Sequence, residues 1–165
     1  MTGKAAQDTV LYPFRGFSFA VEIQLPEVPG VQGLVCSAAF SECDGLEITR
    51  EVKTLREGGN NGSQIRLAGA LNFGQLTLKR GMSPTFDLWH WFEESLRNPA
   101  LRADADVLLL SPEDSEGAQP LAQFRLTRCL PVKLRAPPLI ARDGGVAIEE
   151  FGLAYESLHL QRSKT

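Results

Sequence analysis

Few residues of this chain could do chemistry, and their spacing decides what that chemistry could be. The histidines are His90 and His159, the cysteines are Cys36, Cys43 and Cys129, and carboxylates stand side by side at Glu93-Glu94 and Glu149-Glu150. A nucleophilic thiol needs a histidine brought close to it, and zinc needs paired ligands such as HExxH or CxxC. Neither pairing occurs, and the odd cysteine count fits reduced, mostly buried thiols rather than a disulfide framework. Neighbouring carboxylates on a strand point to opposite faces, so Glu149 and Glu150 would act as a pair only across a bulge. His90 reads as an ordinary surface or boundary histidine, and His159 as a strand-end one. The nucleophile elbow GxSxG and the phosphate loop GxxxxGK[ST] are both absent. The expectation is no catalytic, cofactor or metal site. A small enzyme survives only as an alternative that would need a pocket gathering a histidine, a cysteine and a carboxylate.

Two segments of another kind stand out. Leu76-Thr77-Leu78-Lys79-Arg80-Gly81 reads as a strand that stops at a glycine and feeds a helix. Arg56, Glu57, Gly58, Gly59, Asn60, Asn61 and Gly62 form a charged, glycine- and asparagine-rich tip between two strand-like runs. Asn and Gly supply positive-φ conformations at such a tip. These are the parts of an interlocking building block.

The elements that must position them follow from periodicity. The length of 165 residues and 43% apolar content imply one domain, 1–165, with a loose N-terminal segment over 1–10. Phe17, Phe19, Val21, Ile23 and Leu25 alternate with polar residues as in a half-buried strand. Pro26, Pro29, Gly30 and Gly33 mark a loop. A second extended run covers Phe40 to Leu55 with a bend at Asp44-Gly45, and Leu46, Ile48 and Val52 share one face. The chain returns over Gln64 to Leu67, turns between Gly69 and Gly74, and continues through Leu76 and Leu78. One helix is expected over about 84–98, with Ser83 as N-cap, Pro84 in the first turn, and an aromatic stripe of Phe86, Trp89, Phe92 and Leu96. Glu93 is placed to pair with Arg97. Strands then recur at Val107 to Leu110, Ala122 to Leu126, Leu130 to Leu134, and in a long final run from Val146 to Leu160 with a bulge near Glu149-Glu150. The expected fold is mainly β, a barrel or sandwich capped by that helix.

A net charge of −3 argues against a nucleic-acid grip. No apolar stretch nears the ~20 residues that span a bilayer, and Met1 to Val10 lacks a signal-peptide core, so synthesis in the cytoplasm is expected.

In their order, these segments resemble the inner tube or tail tube protein family of contractile phages and extracellular contractile injection systems. The resemblance runs through Phe17–Ile23, the Phe40-Ser41-Glu42-Cys43-Asp44-Gly45-Leu46-Glu47 signature, Arg56–Asn61, Leu67-Ala68-Gly69, Leu76–Gly81 and Leu88-Trp89. It continues in Leu130-Pro131-Val132-Lys133, Pro137-Pro138-Leu139 and Val146-Ala147-Ile148-Glu149, covering about residues 12 to 160. The chain departs from the pattern in a long loop from Pro26 to Ser37, in Leu130 where an aromatic is common, and in a generous turn over 111–119. The resemblance implies a tail-tube-like β-barrel or sandwich, and a structural subunit of stacked hexameric rings around a payload channel. Its implied partners are a contractile sheath, a baseplate or tube initiator, a cap, and a protein effector or DNA in the lumen, with no membrane insertion. It implies no cofactor and places the protein in a phage tail or a released injection particle. Arg56, Glu57, Gly58, Gly59, Asn60, Asn61 and Gly62 are the candidate ring-on-ring contact. A baseplate-proximal tube initiator of the same fold, or an effector-binding module, is the alternative.

Overall fold

Alternating apolar residues make most of this chain extended, and the computed structural model, which describes residues 18–25, 34–38, 40–56, 58–59, 62–110, 120–140 and 144–162, shows how the strands combine. In order they are β1 (Phe19–Gln24), β2 (Leu34–Ala38), β3 (Glu42–Asp44), β4 (Ile48–Leu55), β5 (Ile65–Phe73) and β6 (Gln75–Gly81). Then come α1 (Asp87–Arg97), β7 (Ala103–Leu109), β8 (Ala122–Arg135), β9 (Ile148–Ala154) and β10 (Ser157–Arg162).

Hydrogen bonds run in the order β2-β1-β7-β8-β9-β6-β3, with β10 also on β8, and every pairing is antiparallel. The long β8 belongs to both halves: its first part pairs with β7 and β10, and Leu130 onward pairs with β9. The change-over falls at Arg128, whose φ is +54°. A strand that bends between sheets is how a sandwich turns its corner. The described strands do not close on themselves, so the expected barrel or sandwich is a sandwich.

The core lies on the inner faces of both halves. Val21 and Ile23 of β1, Leu76 and Leu78 of β6, Leu126 and Cys129 of β8, and Phe151 and Leu153 of β9 are fully buried in one cluster. Each such aliphatic or aromatic side chain contributes roughly 1.5–3 kcal/mol by leaving water. Helix α1 adds Leu88 and Trp91 to the cluster, with the Trp91 ring 5.3 Å from that of Phe151.

The helix differs from expectation in detail. It begins at Asp87 with Phe86 as N-cap, because Ser83, Pro84 and Thr85 form a turn in which the Phe86 N–H donates to the Ser83 carbonyl. Its buried residues are Leu88, Trp91 and Ser95, whereas Phe86 and Leu96 are exposed. Arg97 pairs with Glu94, not Glu93. Asp87 in the first turn and Arg97 in the last both suit the helix dipole.

Strand boundaries also shift. Leu34–Ser37, read as loop, lies in β2, and Gly69 lies inside β5 at a register shift rather than at a turn. The runs Ala122 to Leu126 and Leu130 to Leu134 are one strand, β8. The final run breaks after Ala154 into β9 and β10, and Glu149 rather than Ile148 faces inward. The expected bulge at Glu149-Glu150 is absent, because those two residues continue in register with Arg80 and Lys79. The loose start over 1–10 and the turn over 111–119 lie outside the described residues.

Candidate assembly surface

Among the described residues, strands β4 and β5 pair only with each other. This hairpin stands off the sandwich, and no residue along it is buried. Ile48, Val52, Leu55, Ile65, Leu67 and Leu71 are between 41% and 57% exposed, far too much for residues sitting in a core. Register separates two faces. Ile48 with Phe73, Arg50 with Leu71, Val52 with Ala68 and Thr54 with Arg66 share one, and Thr49 with Asn72, Lys53 with Leu67 and Leu55 with Ile65 share the other. One face is therefore apolar toward the root and the other toward the tip. An isolated two-stranded ribbon is marginal in water, so such a hairpin calls for a covering surface. Of Leu46, Ile48 and Val52, which the sequence pattern places on one face, only Leu46 packs against the core.

The root is built to aim the hairpin. Gly45 has φ +100°, and a Cβ there would lie 1.9 Å from the Gln75 carbonyl oxygen, so only glycine fits. Gly74 donates its N–H to the Glu47 carbonyl at 3.0 Å. The buried Tyr155 closes the joint: its hydroxyl accepts from the Glu47 N–H at 3.0 Å and lies 2.8 Å from the Gly45 carbonyl, to which it donates. Its ring lies 5.9 Å from Phe73. No spacing rule pointed to Tyr155, and its role comes from the end of β9 meeting the start of the hairpin.

At the tip, Arg56, Gly58, Gly59 and Gly62 are exposed, and Gly59 takes φ +100° in the turn. Glu57, Asn60 and Asn61 lie outside the described residues.

A second constellation sits at the far end of β6. The buried Arg80 guanidinium donates from Nε to Glu149 at 2.8 Å and pairs with both oxygens of Asp87. It also lies 3.1 Å from the Cys36 sulfur and over the Phe40 ring. Trp89 donates its indole N–H to the other Glu149 oxygen at 3.2 Å. Burial opposes ionisation at Asp87, but the guanidinium and the Leu88 N–H outweigh it and hold the carboxyl below its ordinary value. The same ion pairs hold Arg80 charged. Burial pushes Cys36 and Cys129 up to about 12 and Cys43 to about 11, so all three free thiols are poor nucleophiles. His90 and His159 are exposed, and no group of potential metal ligands gathers among the described residues. Among those residues, no helix is long and apolar enough to cross a membrane.

The geometry defines a charge-locked sandwich carrying a ribbon that no other described strand pairs with. The comparisons make the class specific: residues 15–159 match the T4-like virus tail tube protein gp19 family, and the chain belongs to it. It is a structural tube subunit and not an enzyme. No curated protein matches the sequence. A chain in the anti-feeding prophage (AFP) baseplate structure is 28% identical, with 94% of this chain and 99% of that one covered and a TM-score of 0.74. A chain of the PVC sheath-tube complex of an extracellular contractile injection system, in its extended state, is 20% identical with a TM-score of 0.75 over 98% and 100%. A chain of the AFP tube terminating cap is 19% identical with a TM-score of 0.74 over 99% and 100%. These last two share the fold.

Proposed function

We propose that the chain acts as one tube-protein domain that closes into six-subunit rings, which stack into the hollow inner tube of a contractile injection particle or phage tail. The observation that carries this is the β4–β5 hairpin, apolar on both faces and covered by no other strand among the described residues. Its free strand edges, like those of β2 and β3, are templates for pairing with a neighbour, and ring closure removes them. Subunit contacts of roughly 2,000 Å² or more suit such an obligate assembly. A sheath surrounds the tube, a baseplate lies below it and a cap ends it, by analogy with the complexes in which the similar chains sit. The lumen carries a protein effector or DNA, and the residues over 56–62 make the ring-on-ring contact. The subunit is made in the cytoplasm and leaves the cell as part of the particle.

Negative-stain images and light scattering of the purified protein test this: six-fold rings and stacks are expected. A compact monomer at high concentration, alone and with baseplate supplied, would overturn it. A second reading, a tube initiator at the baseplate, is favoured by the 28% match lying in a baseplate structure while the sheath-tube match is 20%. Copy number in purified particles separates the two: many copies for the tube, a single ring for the initiator.

A further inference from the structure

The hairpin leaves the body beside Gln75, at the start of β6. The opposite end of β6, six residues or about 20 Å away, carries a second exposed apolar group. Met82, Phe86, Val146 and Ile148 are 36%, 46%, 79% and 40% exposed there. They are held together: Gly81 pairs with Ile148, the Met82 N–H donates to Ala147 at 2.8 Å, and Val146 lies against Gly81. The Arg80–Asp87 ion pair closes the loop that displays Phe86. Phe86 is held at φ 50°, ψ 29° with its ring in water. A bulky side chain in the left-handed region is an outlier, of the kind that clusters at functional surfaces.

Charge supplies an independent argument. Residues 48–73 contain Arg50, Lys53, Arg56 and Arg66 against Glu51 and Glu57, a balance of four minus two, or +2. The whole chain is −3, so the remainder carries −3 minus 2, or −5. None of the four hairpin cations has a carboxylate partner among the described residues. Seven of the nine described cations outside the hairpin do. Glu93 lies about two turns along the helix that Phe86 caps, exposed and without a cation partner among the described residues.

We propose that the Met82–Phe86–Val146–Ile148 surface, with Glu93 at its margin, is the acceptor for the β4–β5 hairpin of a second copy in the next ring. The proposal rests on the tube reading and names the other half of its axial contact. Donor and acceptor occupy opposite ends of one strand, so the contact is head-to-tail. A head-to-tail contact that does not close on itself propagates without limit, as a stack of rings requires.

Two variants that are each defective on one side provide the test. Phe86→Asn with Val146→Ser removes the acceptor's apolar groups, and asparagine tolerates the left-handed backbone. Arg50→Glu with Lys53→Glu and Arg66→Glu spoils the donor. Each alone is expected to melt like the parent and give unstacked rings, with tube mass down at least tenfold. Mixed in equal amounts, they should give paired rings and no longer stacks, because one good donor face meets one good acceptor face. Parent-length tubes from the acceptor variant, or no ring pairs in the mixture, would overturn the proposal. If the parent itself makes no rings, the tube reading fails instead. Should either variant melt early, Leu71→Cys with Met82→Cys in the parent gives the same answer. Oxidation should produce an inter-chain ladder, and tubes without a ladder would refute the contact.

Discussion

Arg80 is the residue on which most of the body depends, because one guanidinium ties β6 to β9, to α1 and to the edge strand β2. Burying it is tolerable only while its carboxylates remain. Glu149→Leu should therefore destabilise the subunit by about 3 kcal/mol, the low end for a broken buried pair because Asp87 still holds the cation. Chemical denaturation measures this, and a loss under 1 kcal/mol would show the network to be weak. Asp87 supplies the pH dependence. Its carboxyl is held below 3.8 in the folded state, so its contribution is fully present above about pH 4 and disappears as pH falls through the lower folded value. Melting temperature should drop more steeply below pH 4 in the parent than in Asp87→Asn. Equal slopes would exclude the residue as the source. None of this was visible as spacing: Arg80 and Glu149 lie 69 positions apart, and the final run's apolar alternation pointed Ile148 inward. The partner of a buried charge is a tertiary fact, and here it put Glu149 in phase with the buried Phe151 and Leu153.

At the scale of elements, the hairpin and the sandwich answer to different forces. The strands of the body were readable because their alternation reflects one buried face, as in β1 and β6. The hairpin alternates less strictly, with apolar groups on both faces and no residue of either strand buried. The tip was legible from its glycines and asparagines, but the root was not, because Tyr155 reaches it from 108 positions away. The helix is legible but its inward face is not: Phe86 and Leu96 of the expected stripe are exposed and Trp89 serves Glu149, while Trp91 fills the interior. Tyr155→Phe should cost about 1–2 kcal/mol, since it strands the Glu47 N–H and frees the joint. Its larger effect should fall on assembly, because the hairpin loses its aim. A variant that melts lower yet makes tubes at the parental rate would show that the joint only stabilises.

For the whole molecule, the uneven charge makes association sensitive to ionic strength. Hairpin cations approaching a body of −5 are steered toward it, and steering acts on the rate of encounter more than on the final contact. Raising salt from 50 to 500 mM should slow tube growth several-fold while leaving finished tubes intact. Stopped-flow light scattering reads the first effect and microscopy the second; a salt-independent growth rate would mean the four cations do not guide docking.

The exposed ribbon also has a consequence for the cell that makes it. On the tube reading, a subunit not yet in a ring carries a strand pair that no other described strand covers, the usual seed of amyloid-like clumping. Arg50, Lys53, Arg56 and Arg66 interrupt that ribbon with mutual repulsion, the way gatekeeper residues protect an unavoidable hydrophobic segment. Removing them by neutral substitution would turn a patient pool of spare parts into inclusion bodies, well before any effect on finished tubes could be seen.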